Sequence, residues 1–235
     1  MLFTRLLGTS FAGAGWLPSR CVVCRAWPAQ RICVDCASTL APLRRRCPRC
    51  ALPLADGAPA CGHCLREPSG LDACVAVVDY AWPWSGLVTQ LKFHGAPGVA
   101  SALAELMRTR PDACEMVAAC DALVPLPLAP GRLRERGYNQ AQLLARALAR
   151  TKLRAHWLVR SRETTAQTRL DRRERLRNLQ GAFRLTPAAQ AQLPGKSVLL
   201  VDDVMTTGAS LHAAAEVLRG GGALSVGALV FARTP

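Results

Sequence analysis

Two neighbouring carboxylates, Asp202 and Asp203, are followed within a few residues by Thr206-Thr207-Gly208-Ala209-Ser210. Paired acids suit the two adjacent hydroxyls of a ribose. Hydroxyl side chains beside a glycine and a helix start suit a phosphate. Such groups need a scaffold, and the flanking residues read as one. Val198-Leu199-Leu200-Val201 is apolar and too short for a helix, so it reads as a buried strand that the acid pair ends. Leu211 to Leu218, rich in Ala and Leu, reads as the helix that the Thr-Thr-Gly turn opens. The first amides of a helix have no partner within it, and open α/β sheets bind ligands at the carboxyl ends of their strands. Gly208 lets the backbone approach closely. The unit fits a sugar phosphate, with phosphate in the loop and ribose on the acids. An acid that only caps a helix needs no second acid at a strand end.

A second chemistry sits at the front of the chain. Eight of the eleven cysteines form four Cys-x-x-Cys pairs: Cys21/Cys24, Cys33/Cys36, Cys47/Cys50 and Cys61/Cys64. Each pair offers two thiolates to one metal, and two pairs complete a tetrahedral four-cysteine site for zinc. Sequential pairing, first with second and third with fourth, is the simplest arrangement. Pro48 and Gly62 lie inside their knuckles and suit tight turns there. Disulfides are rare in a reducing cytosol, and a thioredoxin-like site would need one such pair rather than four. A closed four-cysteine site leaves no position for substrate, so the front end reads as a folding or docking module. Cys74, Cys114 and Cys120 lie in apolar surroundings and read as small core residues; His63 reads as exposed.

The 235 residues suit one ordinary domain with a small appendage. Half are apolar, which argues for a globular chain, and no apolar run reaches membrane-span length. Leu6 to Leu17 after Arg5 is broken by Gly8, Gly13 and Gly15 and reads as an amphipathic or disordered arm rather than a signal peptide. The formal net charge is +14, and Arg132 to Arg177 carry +10 of it, with 14 basic residues against Glu135, Glu163, Asp171 and Glu174. Such a field points to a polyanion, either a pyrophosphate-bearing substrate or nucleic acid.

Around these sites, Ala73 to Tyr80 predicts a strand and Trp82-Pro83-Trp84 a turn. Helices follow around Leu87 to Phe93 and Val99 to Arg108. Asp121 to Pro127 predicts a strand, Ala129 to Tyr138 an arginine-rich loop, and Asn139 to Arg150 a helix. Leu158-Val159 is a short strand, Ser161 to Thr168 a mobile loop, and Arg172 to Asn178 a helix. Gly181 to Leu185 is extended and Ser225 to Ala232 a final strand. Strands alternating with helices predict a mainly parallel sheet with flanking helices. In Arg134-Glu135-Arg136-Gly137-Tyr138-Asn139-Gln140, Gly137 permits a sharp turn, Asn139 can cap the helix, and Arg136 can reach an anion at its start.

The thirteen residues Val198 to Ser210 resemble the binding loop for 5-phosphoribosyl 1-pyrophosphate (PRPP) of the type I phosphoribosyltransferases. That resemblance implies ribose hydroxyls on Asp202 and Asp203 and the 5-phosphate within Thr206, Thr207, Gly208, Ala209 and Ser210. With the cysteine front end, Trp16-Leu17-Pro18, Leu91-Lys92-Phe93-His94-Gly95 and the two arginine-rich segments, nearly the whole chain resembles the ComF family. The family implies an N-terminal arm and double zinc ribbon, residues 1–68 here, fused to a type I phosphoribosyltransferase-like α/β domain, residues 69–235. It implies a cytoplasmic role in DNA uptake during natural transformation. Arg136, Gly137, Asn139 and Gln140 then fall at the pyrophosphate loop. Gln167 and Arg169 fall in a flexible loop, with Arg177 and Asn178 in the helix after it.

The resemblance implies structural Zn2+, and Mg2+ bound with PRPP. In a reaction that displaces pyrophosphate from ribose C1, Asp202 and Asp203 would stabilise charge on the sugar. Arg136 and Mg2+ would stabilise the leaving group. Three functions follow. The first is a PRPP-binding helper of DNA uptake that contacts single-stranded DNA and uptake-machinery proteins. The second is an active phosphoribosyltransferase of nucleobase salvage or related nucleotide metabolism. The third is a zinc-ribbon adaptor on a non-catalytic scaffold. Intact acids and phosphate loop argue against the scaffold, and the basic excess with the ribbon favours the helper.

Overall fold

Each half of the cysteine-rich front end is built from one knuckle and one helix start. Val34–Leu40 (α1) and Gly62–Arg66 (α2) begin directly after Cys33 and Cys61, whose sulfurs accept hydrogen bonds from the Cys36 and Cys64 amides at 3.4 and 3.5 Å. The other two pairs form turns, each flanked by a one-bridge ladder, Ser19 with Ala29 and Arg46 with Pro53. The turns are relieved by left-handed backbone at Arg25 (φ 67°) and Ala51 (φ 56°), directly after Cys24 and Cys50. Gly62 has no such conformation and simply opens α2. The structure, a computed structural model, describes residues 19–55, 57–67, 70–161 and 181–235.

Beyond the ribbons run β1 (Cys74–Asp79), α3 (Trp84–Phe93), α4 (Val99–Arg108), α5 (Pro111–Ala119) and β2 (Ala122–Pro125). Next come α6 (Pro130–Arg136), α7 (Gln140–Leu148), β3 (Leu158–Arg160), β4 (Phe183–Leu185) and α8 (Pro187–Gln192). The chain ends with β5 (Ser197–Met205), α9 (Ala209–Gly220) and β6 (Ser225–Arg233). The main sheet has the order β1-β6-β5-β2 with every pairing parallel, and β3 and β4 form a separate antiparallel pair. A parallel sheet covered on both faces needs near-continuous apolar strands, which explains Val198–Val201. Leu199, Val201, Leu229 and Phe231 face a core with α3, α4, α7 and the first ribbon. Val198, Leu200, Val226, Ala228 and Val230 face another with α8, α9 and the second ribbon. The connection into β5 passes α7 on one face and the connection out passes α9 on the other. The carboxyl end of β5 is therefore a topological switch point.

Several local expectations are corrected. The acid pair does not end its strand: β2 stops pairing at Val201, but β6 carries the ladder on to Met205 opposite Arg233. Ala129–Tyr138 is mostly helical, because Pro130 sits in the first turn of α6 and Gly137 ends it with φ 79°. The expected turn at Trp82–Trp84 passes into α3 at Trp84 itself, and α7 stops at Leu148 before a 3-10 turn over Arg150–Lys152. Helices α5 and α8, absent from the sequence reading, each start at a proline that needs no amide partner. Cys74 and Cys120 are buried, but Cys114 is exposed on α5. His63 is half-buried, with its Nε2 3.7 Å from Glu67 Oε2. The N-terminal arm with Trp16-Leu17-Pro18, the loop residues after Ser161 including Gln167 and Arg169, and the Arg172–Asn178 helix lie outside the described residues.

Candidate functional site

The loop between β5 and α9 is shaped by Gly208. It caps α9 with φ 78°, and a Cβ there would stand 2.3 Å from Met205 Cε and 3.2 Å from His212 Nε2. Only glycine fits that backbone without displacing both neighbours. Thr207 Oγ1 accepts from the Ala209 amide at 3.4 Å, so one hydroxyl already turns toward the first turn of the helix. Thr206 is exposed, and Thr207 and Ser210 are half-buried around the loop.

The two acids differ. Asp203 is 1% exposed and points inward, with its Oδ2 3.0 Å from Lys92 Nζ. Asp202 is half-buried, and its Oδ1 accepts the Asp203 amide at 2.8 Å. Burial raises the Asp202 carboxyl well above the usual carboxylate range, and the Asp203 charge pushes the same way, with Lys92 opposing. Arg160 at the end of β3 lies in the same field. Burial lowers its guanidinium from the ordinary value, Arg132 adds to the effect, and Asp202 opposes it. Its guanidinium carbon stands 5.6 Å from the centroid of the Phe183 ring.

On the β2 side, Asn139 caps α7 as expected: its Oδ1 accepts from the Ala141 amide at 2.9 Å and its Nδ2 donates to the Leu126 carbonyl at 3.0 Å. Gln140 is buried and takes a hydrogen bond from Arg136. Arg136 also lies over the Phe93 ring, 5.5 Å from its centroid. Tyr138 donates to the Leu91 carbonyl at 2.6 Å. The structure thus gathers Asp202, Asp203, the 206–210 loop and the Arg136–Gln140 segment at the carboxyl ends of β5 and β2. Leu91-Lys92-Phe93 entered the sequence reading only as part of the family resemblance and Arg132 only as the edge of the basic segment, neither with a role in the site, and Arg160 was not named. A Lys-Phe pair closing an amphipathic helix was visible, but nothing in its spacing tied it to acids so distant in the chain.

The cysteines form two clusters, Cys21/Cys24/Cys33/Cys36 and Cys47/Cys50/Cys61/Cys64, with the sulfurs of each within 4.8 Å of one another. Sequential pairing therefore holds. The closest sulfurs, 3.6 Å for Cys24 with Cys33 and 3.5 Å for Cys50 with Cys61, approach the roughly 3.8 Å edge of a tetrahedral zinc–tetrathiolate site. Burial opposes ionisation of Cys21 and Cys47, but surrounding amides outweigh it and bring the thiols to about 6 and about 7. Burial, reinforced by neighbouring thiols, pushes Cys36 and Cys64 up and takes Cys50 to about 11. Each cluster thus holds one thiol shifted toward ionisation and at least one shifted against it, and metal binding draws on the deprotonated form.

The ribbons dock beside the candidate site. Arg233, 5% exposed at the end of β6, donates to the Cys50 carbonyl at 2.9 Å and to the Met205 carbonyl at 3.2 Å. The Cys74 amide donates to the Pro48 carbonyl at 2.7 Å. Arg46 and Arg44 pair with Asp79 at 2.7 and 3.0 Å, and Trp84 Nε1 donates to the Leu40 carbonyl at 2.8 Å.

Comparison with known proteins agrees with this division of labour. A phosphoribosyl transferase domain model matches residues 135–235, and a double zinc ribbon domain model matches residues 15–65. The DNA utilization protein YhgH of Escherichia coli (strain K12) is 35% identical over 231 residues, covering 93% of this chain and 98% of that protein. Competence protein F of Haemophilus influenzae is 31% identical over 215 residues, with coverage of 85% and 90%. Competence protein ComFC of Bacillus subtilis (strain 168) is 30% identical over 220 residues, with coverage of 88% and 86%.

Proposed function

The chain belongs to the ComF family of double-zinc-ribbon phosphoribosyltransferase-domain proteins, and from that premise we propose that it binds PRPP and serves the uptake and use of DNA in the cytoplasm. One observation carries the PRPP reading: an acid pair and a glycine-capped phosphate loop share the switch point of the sheet with the Arg136–Gln140 segment. The phosphate binds Thr206, Thr207, Gly208, Ala209 and Ser210, and the ribose hydroxyls meet Asp202 and Asp203. Gly137 and Asn139 shape the turn that aims Arg136 at the pyrophosphate, and Gln140 holds its guanidinium. The family resemblance assigns Gln167 and Arg169 to a flexible loop that serves the pyrophosphate. Carboxylate oxygens beside a substrate pyrophosphate are the donor set that Mg2+ takes, so Asp202 and Asp203 fit that ion. Bound there, Mg2+ supplies charge neutralisation on the leaving group.

The role in DNA use rests on the names of the relatives, "DNA utilization protein" and "competence protein". The +10 field of Arg132 to Arg177 supports contact with single-stranded DNA. Among the described residues no helix is long and apolar enough to cross a membrane. We take residues 1–68 as the docking module toward uptake-machinery proteins and 69–235 as the PRPP-binding unit.

Calorimetric titration of PRPP with Mg2+ tests the site. Asp202→Asn together with Asp203→Asn removes charge-assisted bonds of roughly 1.5–3 kcal/mol each, so affinity is expected to fall more than a hundredfold. Unchanged affinity in a folded double mutant sinks the assignment. Pyrophosphate release on adding candidate acceptors separates an active transferase from a binding protein.

A further inference from the structure

We propose that the last turn of α3, Leu91-Lys92-Phe93, is a positioning element that sets the two halves of the site in register: Lys92 holds Asp203, and Phe93 holds Arg136. Three consecutive residues make three contacts with two separate site segments. The Leu91 carbonyl accepts from Tyr138 at 2.6 Å, Lys92 Nζ meets Asp203 Oδ2 at 3.0 Å, and the Phe93 ring carries the Arg136 guanidinium at 5.5 Å. The Lys92 and Phe93 side chains leave the helix about 100° apart and reach different segments, while the Leu91 carbonyl at the helix end takes the Tyr138 hydroxyl. The turn therefore touches both the end of β5 and the α6–α7 corner.

Each contact also lacks a simpler explanation. Phe93 is 71% exposed, so its ring is not there to fill a core. A guanidinium over a ring face is attracted by the ring quadrupole, and Arg136 is thereby held between Phe93 and Gln140. Asp203 is a buried carboxylate beside a second acid, and no donor is aligned on its Oδ2 to form a hydrogen bond. Two adjacent acids repel, and a buried charge without a counter-charge is unstable. Lys92, its side chain 22% exposed and aimed inward, is the cation at ion-pair distance from that oxygen. Lys92 therefore serves the ribose end of the site and Phe93 the pyrophosphate end.

The inference rests on the PRPP reading, and its test separates the two. PRPP, ribose 5-phosphate and inorganic pyrophosphate are titrated against the zinc-loaded full chain and its variants Lys92→Met, Lys92→Gln, Lys92→Arg and Phe93→Leu. Lys92→Met is expected to weaken PRPP and ribose 5-phosphate at least tenfold, with Lys92→Arg recovering to within about threefold. Phe93→Leu is expected to weaken PRPP and pyrophosphate severalfold while leaving ribose 5-phosphate unchanged. Should Lys92→Met not fold, Lys92→Gln takes its place. Equal losses for all three ligands, or no recovery by Lys92→Arg, overturn the proposal. A ligand-free cycle of thermal melts with Lys92→Gln, Asp203→Asn and the double mutant stands apart from any ligand. Non-additive melts support the pairing and additive melts overturn it, even if the wild type binds none of the three ligands. That last result alone would reject the PRPP reading.

Discussion

At the scale of single residues, the candidate site trades stability for chemistry. Asp202 has a folded-state pKa raised above its unfolded value by burial and by the Asp203 charge. For such a group the stabilising form is the protonated one. Its contribution is complete below the unfolded value near 3.9 and is lost as pH rises through the folded value. As pH rises from the unfolded value through the folded one, Asp202 therefore costs the empty protein stability. Asp202→Asn is expected to raise the melting temperature at pH 7–8, with the gain shrinking toward pH 4, while PRPP affinity falls. Melts across that range check it, and a lower melting temperature at pH 8 contradicts it. Gly208 is the opposite case. Gly208→Ala places a side chain at φ 78° and against Met205 and His212, with a backbone penalty of roughly 1–2 kcal/mol. Both lower stability and loss of phosphate binding are expected, read by denaturant melts and by PRPP titration.

At the scale of elements, the metal clusters and the sheet are joined through backbone carbonyls. Four knuckles closing two four-cysteine sites predict two zinc ions per chain, which elemental analysis of protein purified without added metal decides. One ion per chain removes one cluster from the account. Arg233 connects the second cluster to the strand ahead of the phosphate loop, through the Cys50 and Met205 carbonyls. Hydrogen bonds from a charged group contribute about 1.5–3 kcal/mol each. Arg233→Met keeps the bulk and removes the donors, so a loss of about 3 kcal/mol is expected in denaturant unfolding of the zinc-loaded protein. Lys152 works in the same way: its ammonium takes the carbonyls of Val117, Ala118 and Cys120 at the end of α5, where cations favour the helix dipole.

For the whole molecule, the charge distribution decides which polyanions it meets. Lys152 and Arg154 use N–H donors on local carbonyls, which leaves their charge in the field but fewer donors for direct phosphate contacts. Aromatic platforms in the basic segment are limited to Tyr138 and Trp157, and both are engaged, Tyr138 with Leu91 and Trp157 by burial. Binding to single strands is therefore expected to be modest and driven by phosphate contacts, with a log–log salt slope of about −0.7 per contact. Replacing Arg172, Arg173 and Arg175 with Ala should flatten that slope without changing zinc content. Titration of labelled single-stranded DNA at several salt concentrations reads it. Absence of binding at low salt assigns the basic segment to pyrophosphate alone.

The sequence by itself determined what is local. Four Cys-x-x-Cys pairs name their metal because ligand type and short spacing suffice. An apolar run with two acids and Thr-Thr-Gly marks a strand–turn–helix unit that the structure shows, because its parts are contiguous. Asn139 as a cap and Val99–Arg108 as a helix follow from the same short-range rules. Pro130 and Gly137 carried an equally local helix signal, which the density of arginines between them obscured. The tertiary structure alone decided what depends on distance in the chain. Pairing with β6 carried β5 past the acids to Met205. The fold turned Asp203 inward to Lys92 and left Asp202 at the rim, set Arg136 on Phe93, and tied Cys50 to Met205 through Arg233. Those contacts join residues that no periodicity relates, because they are made by the packing of separate elements at one end of a sheet.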